Sequence, residues 1–144
     1  MAITQKEQDE FKKLFSAIVD NVEKSLFGKR SVIELVLATM ISEGHVLLED
    51  VPGTGKTALA RAIAQSVAVK TSRIQFTADL LPSDITGVEI YNQKKERFEF
   101  QAGPIFASVV LADEINRASP KTQSALLEVM EEGFVTIGNV RQPA

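Results

Sequence analysis

The sequence predicts an α/β fold built around a mostly parallel sheet, and three observations carry that expectation. Two short apolar runs, Val46-Leu47-Leu48 and Ser108-Val109-Val110-Leu111-Ala112, have the texture of strands fully buried inside a parallel sheet. Between them and around them lie stretches of helical periodicity. The turn Pro52-Gly53-Thr54-Gly55 joins the first run directly to one of those stretches, beginning at Lys56.

In chain order, Phe11, Leu14, Phe15, Ile18, Val19 and Val22 recur at helical spacing among charged residues, which predicts a packing helix from about Asp9 to Ser25. Leu26-Phe27-Gly28-Lys29-Arg30 breaks it. Ser31 is the expected cap of a second helix carrying Ile33, Leu35, Val36, Met40 and Ile41, with Gly44 just past its end. After the run at Val46 a third helix is expected over 56–69, and a strand over 73–77. Leu81 to Gly87 reads as a loop rich in turn residues. A hairpin is expected from strands at 88–91 and 97–100 around Asn92-Gln93-Lys94-Lys95-Glu96. Beyond the second apolar run, Ser119 and Pro120 sit in cap and first-turn positions of a helix that Gly133 ends. The tail from Val135 to Val140 reads as a strand, a turn and the start of a returning strand.

Composition removes several functional classes. The chain has 144 residues, 16 Lys+Arg against 19 Asp+Glu, no cysteine and a single histidine, His45. Disulfides, thiolate metal sites and a cysteine nucleophile are therefore excluded, and imidazole-based metal sites have almost no ligands. The mild acidity argues against duplex-DNA binding through a broad basic face. No apolar stretch approaches the roughly 20 residues that cross a bilayer, and the polar start does not read as a secretory signal, so a cytoplasmic protein is expected.

The chemistry concentrates in two places. In Gly53-Thr54-Gly55-Lys56-Thr57, glycines let the backbone curl and approach closely, so that successive N–H groups point at a β-phosphate. The following helix offers its positive end to the same phosphates. Lys56 is expected to bridge β- and γ-phosphate oxygens and the Thr57 hydroxyl to ligate Mg²⁺, with Pro52 and Ala58 flanking the cradle. The phosphate-loop pattern asks for glycine five places before Gly55, where this chain has Asp50; aspartate tolerates a left-handed backbone better than most residues. Further on, the second apolar run ends in Asp113-Glu114. Asp113, at the carboxyl end of a strand, is placed to hold Mg²⁺ through its water shell, and Glu114 to orient and deprotonate an attacking water. Together these residues predict a Mg²⁺-dependent hydrolase of a nucleoside triphosphate.

On these residues the chain resembles the AAA+ ATPases, and more closely their MoxR family. The resemblance rests on Gly44 to Thr57, on Arg73 to Gly87, and on Gly103-Pro104-Ile105-Phe106 with Val109 to Pro120. MoxR-like proteins commonly carry Glu-Asp or Glu-Gly before Val-Pro-Gly, which accommodates Asp50. The resemblance implies a three-layer P-loop core with hairpin insertions, strands in the order 5-1-4-3-2, and a polar sensor, arginine finger and helical lid. It implies that Phe27 and Gly28 contact adenine, although a helix stop is their simpler role. Asn116 and Arg117 are implied to sense nucleotide or touch a neighbouring subunit, with a helix start as the simpler alternative. Lys94, Lys95 and Arg97 are similarly implied to meet a client, against a solvated hairpin tip.

Residues 1–44 then read as a helical lead-in and 45–144 as the N-terminal part of the core, with strands four and five and the lid lying outside the sequence. Since strand four belongs between strands one and three, the three strands present are not expected to form one continuous ladder, and turnover by this chain alone is expected to be low. The resemblance further implies self-association of the full-length protein into a ring, expected to be a hexamer, and a chaperone-like remodelling role with von Willebrand A-domain partners and protein clients. Two other readings stand beside it: a nucleic-acid motor, disfavoured by the charge balance, and a nucleotide-responsive interaction module with negligible turnover.

Overall fold

The computed structural model describes residues 3–25, 28–49, 55–137 and 140–144. These divide into two compact units, Met1–Val69 and Lys70–Ala144.

The first unit is helical. Helix α1 spans Gln5–Glu23 and starts earlier than the apolar periodicity suggests, because Thr4 and Glu7 form a capping box. The Thr4 backbone N–H donates to Glu7 Oε2 at 2.8 Å, and the Glu7 N–H donates to Thr4 Oγ1 at 3.3 Å. Helix α2 spans Arg30–Ile41. Ser31 is not its cap: Lys29 occupies that position without a capping hydrogen bond from its side chain, and Ser31 lies inside the first turn. Arg30 instead ties the junction, pairing with Asp20 at 2.7 Å, Glu23 at 3.0 Å and Glu34 at 3.0 Å. At the other end Glu43 takes the left-handed conformation, and the Gly44 N–H reaches back to the Thr39 carbonyl at 2.9 Å. A β-carbon on Gly44 would press against the Thr39 methyl, so this close turn requires glycine.

Helix α3 spans Lys56–Ser66, shorter than expected; the chain leaves it at Val67 and turns through a left-handed Ala68. Val19, Val22, Ile33, Leu37, Leu59 and Ile63 from the three helices form one buried cluster. An Asn21 Nδ2 to Ser66 Oγ hydrogen bond of 3.1 Å links α1 to the end of α3.

The expected strand at Val46-Leu47-Leu48 does not form. Residues 44–49 have no regular structure, and Leu47 is 73% exposed. No strand occurs in this unit among the described residues, so the run has no ladder to join, and a lone strand leaves its N–H and C=O groups unpaired.

The second unit holds three two-stranded sheets. Strand β1, Thr71–Gln75, pairs parallel with β4, Val109–Asp113, in the register Arg73↔Leu111 and Gln75↔Asp113. Between them, α4 covers Pro82–Thr86, a single turn where a loop was expected, started by a Leu81 N–H to Asp84 Oδ2 bond of 2.8 Å. Strands β2, Gly87–Asn92, and β3, Arg97–Ala102, form the expected antiparallel hairpin. Its base is tight: Gly87 has φ +94°, and a β-carbon on Gly103 would collide with the Ile85 carbonyl and the Gly87 nitrogen. Helix α5 spans Pro120–Glu132, with the Ser119 cap, first-turn Pro120 and left-handed Gly133 all where the sequence puts them. Strands β5, Phe134–Ile137, and β6, Val140–Pro143, close the chain as a second hairpin.

Strand β4 differs from expectation in one respect. All five of its residues are half-buried, where a fully buried strand was predicted, because β1 covers only one edge and no other strand pairs with it among the described residues. The core of this unit gathers Ile74, Phe76, Ile85, Ile105, Leu126, Val129 and Val135.

Candidate functional site

The two halves of the expected site lie in different units. In the first, Gly55 has φ +82°, a left-handed conformation that glycine adopts without a side-chain penalty, and it leads directly into α3. Lys56 and Thr57 occupy the first turn and are half-buried, and Ala58 is exposed. Their backbone N–H groups belong to the positive end of an eleven-residue helix, a place suited to anions. Asp50, Pro52, Gly53 and Thr54 fall outside the described residues, and so does Phe27. Gly28 is exposed with φ +77°, and an added β-carbon there would meet nothing, so its glycine character serves the backbone turn between α1 and α2.

In the second unit β4 delivers its carboxylates at its carboxyl end. The Asp113 carbonyl accepts from Phe76 N–H at 2.9 Å, extending the pairing with β1 one step past the strand. The Asp113 side chain, 17% exposed, meets Arg73 of β1, whose Nε and Nη2 approach Oδ2 at 2.7 and 2.6 Å. The next residue, Glu114, adopts φ +56° and ψ +44°. A left-handed conformation is uncommon for a residue with a β-carbon, and such residues cluster at functional sites. It turns the chain off the strand into a 3₁₀ turn at Ile115–Arg117, and leaves the Glu114 side chain 55% exposed.

That turn is fastened from behind. Gln123 Nε2 donates to the Ala118 carbonyl at 3.0 Å and to the Ile115 carbonyl at 3.3 Å. Fully buried Thr122 donates to the Leu80 carbonyl at 2.7 Å. Arg117 pairs with Glu114 at 3.1 Å, and Asn116 is exposed. Neither Arg73, Gln123 nor Thr122 stands out from sequence alone. Arg73 had a partial signal: on paired parallel strands, residues near the carboxyl end of one face those of the next.

The oxygen donors fit a hard cation. The Thr57 hydroxyl in the first unit and the Asp113 carboxylate in the second are each oxygen donors of the type Mg²⁺ takes. Among the described residues, no group of three or more His, Cys, Asp or Glu side chains is placed to hold a metal ion.

The hairpin tip is solvated. Lys94, Lys95 and Arg97 are exposed, and Asn92 Oδ1 accepts from the Lys94 and Lys95 N–H groups at 3.0 and 3.2 Å. Lys95 and Arg97 both contact Glu99. Among the described residues, no helix is long and apolar enough to cross a membrane.

The model of the ATPase family associated with various cellular activities (AAA) matches residues 45–143, more than half of the chain. The chain is 56% identical over 130 residues to YeaC of Bacillus subtilis, an uncharacterized protein, covering 90% of this chain and 41% of that one. It is 50% identical over 117 residues to the chaperone MoxR1 of Mycobacterium tuberculosis, covering 81% of this chain and 31% of that protein. The chain is a MoxR-type member of the AAA ATPase family. A crystal structure from Cytophaga hutchinsonii, of a protein provisionally named an ATPase, superposes with a TM-score of 0.79 at 44% identity, covering 93% of this chain and 41% of that one. The MoxR-type chain thus has an α/β fold with a parallel strand pair, in keeping with part of a P-loop core, and spans 41% of YeaC and of the Cytophaga hutchinsonii protein and 31% of MoxR1.

Proposed function

We propose that this protein binds ATP with Mg²⁺ and hydrolyses it, and that the phosphate-binding half at Gly55-Lys56-Thr57 and the carboxylate half at Asp113-Glu114 act on one nucleotide. The observation that carries this reading is the end of β4, where a half-buried carboxylate is followed immediately by an exposed one on a left-handed backbone. The backbone at Gly53 to Gly55 cradles the phosphates, Lys56 spans the β- and γ-phosphate oxygens, and Thr57 and Asp113 hold the cation. When bound there, Mg²⁺ would supply positive charge against the charge developing on the phosphates. Glu114, with its carboxylate in reach of solvent, orients the water and takes its proton.

Membership of the AAA family supports nucleotide binding and assembly into a ring, with a hexamer as the proposed size. The similarity to a protein named a chaperone supports a remodelling role on protein complexes. Von Willebrand A-domain proteins are proposed as partners, and the cytoplasm as the compartment. Turnover is assigned to a protein of the length of its relatives, with the 144-residue chain binding nucleotide weakly and contributing little hydrolysis of its own.

The decisive test is Glu114→Gln, assayed for both nucleotide binding and phosphate release. The substitution keeps size and polarity and removes the base, so binding persists while turnover falls by about 10²–10⁴-fold. Undiminished turnover would refute the role given to Glu114.

A further inference from the structure

We infer that Arg73 is a positioning residue for the Asp113 carboxylate that competes with the divalent cation for it, and thereby sets the cation concentration at which nucleotide is held. This rests on the reading of Asp113 as a cation-holding residue. Arg73 stands on β1 two register positions before the partner of Asp113, on the same face of the sheet. Its guanidinium directs both Nε and Nη2 to a single carboxylate oxygen, Oδ2, and Nη2 also reaches Gln75 Oε1 at 3.3 Å. Gln75 is the register partner of Asp113, so the fork is braced from the same strand.

Burial makes the pair asymmetric. The carboxylate is only 17% exposed, and an anion so placed needs a counter-charge. Arg73 is 50% exposed, so its head can swing into water along its own aliphatic stem. A guanidinium that can leave and a carboxylate that must stay partnered form an exchangeable lock. A divalent cation arriving at Asp113 meets a donor pair already on Oδ2 and a positive charge beside it; both effects weaken its binding. Among the described residues, no other salt bridge engages Asp113.

The experiment is a Mg²⁺ titration of EDTA-stripped protein in the presence of a fluorescent ATP analogue, read by anisotropy. Arg73→Gln is expected to lower the Mg²⁺ midpoint about two- to fivefold, the range suited to a partly solvated ion pair, and to leave metal-free analogue binding unchanged. Circular dichroism and thermal unfolding of each variant report whether it is folded. Arg73→Lys, which keeps a positive charge, is expected to stay within about twofold of the parent. In an Asp113→Asn background the shift caused by Arg73→Gln should vanish, because the two residues act through one contact. An unchanged or raised midpoint in Arg73→Gln, or a shift that persists without the Asp113 carboxylate, would overturn the role of Arg73. Failure of the parent protein to bind the analogue at any Mg²⁺ concentration would instead overturn the nucleotide-binding reading.

Discussion

Two short apolar runs meet opposite fates in this chain. Residues 109–113 form β4 against β1 across five register pairs, and none of them is left exposed. Val46-Leu47-Leu48 is as rich in Val and Leu, yet it stays irregular, with Leu47 73% exposed and Val46 40% exposed. Composition does not separate the two; a neighbour does. A strand is stabilised by pairing its backbone groups and packing its pleated face, so β-propensity without a partner yields an exposed ribbon. The chemistry follows the same division. The carboxylate end of the candidate site stands on a paired strand with a fastened turn behind it, while the run leading toward the phosphate loop pairs with no strand among the described residues.

The largest expected effect comes from supplying that neighbour. In a chain carrying the further length found in its relatives, the amides of residues 46–48 should become protected from hydrogen exchange by about three orders of magnitude or more. That is the difference between a fraying segment and one that opens only with its cooperative unit. The β1–β4 pair, already formed, should change far less. Equal exchange of 46–48 in the short and long chains would mean that the run is a linker, and that the contrast with β4 reflects sequence after all.

A sharper version of the comparison removes one core residue from each unit. Phe76 is fully buried in the second unit and Ile33 in the first. Phe76→Ala should cost about 3–5 kcal/mol and Ile33→Ala about 2–5 kcal/mol, since each leaves a cavity that its neighbours cannot fully close. The informative readout is exchange mapped residue by residue: Phe76→Ala should loosen β1 and β4 first, and Ile33→Ala should loosen α1, α2 and α3 first. Loss of protection spread evenly over both units from either substitution would show that they form one cooperative body.

These contrasts also explain what was readable in the sequence. Local signals succeeded: Ser119, Pro120 and Gly133 bound α5 as expected because capping depends on a few adjacent atoms. The β2–β3 hairpin succeeded for the same reason. The Thr4–Glu7 capping box was equally legible, but the apolar periodicity that set the expected start of α1 does not extend to it. Signals that depend on distant partners succeeded only where the partner is present among the described residues: β1 and β4 pair, and Val46-Leu47-Leu48 stays irregular. Of the candidate site, the carboxylates and the helix-leading Gly55-Lys56-Thr57 were visible as residue types in order. Arg73 was not, because its meaning lies in the parallel register that brings it to Asp113.

The smallest effect tests the hairpin tip, where several polar and charged contacts gather on Glu99. Glu99 accepts from Lys95 Nζ at 2.8 Å, from Asn92 Nδ2 at 2.8 Å and from Arg97 Nη2 at 3.0 Å. The Lys95 contact, followed by those of Asn92 and Arg97, holds the Glu99 carboxyl below the usual carboxylate range. Its folded value therefore lies below its unfolded one, so its contribution to the hairpin is complete above the ordinary glutamate value of about 4.3 and is lost as pH falls through the depressed folded value. Protonation there weakens the hold on Lys95 and Arg97 but leaves the Tyr91–Phe98 ring contact at 5.2 Å, so the hairpin should loosen at its tip and keep its strands. An NMR titration of the Glu99 carboxyl, with tip amide exchange followed in parallel, measures both. Titration of Glu99 at or above the ordinary value, or tip exchange indifferent to pH across that window, would assign the order of the tip to the Asn92 turn and not to its charges.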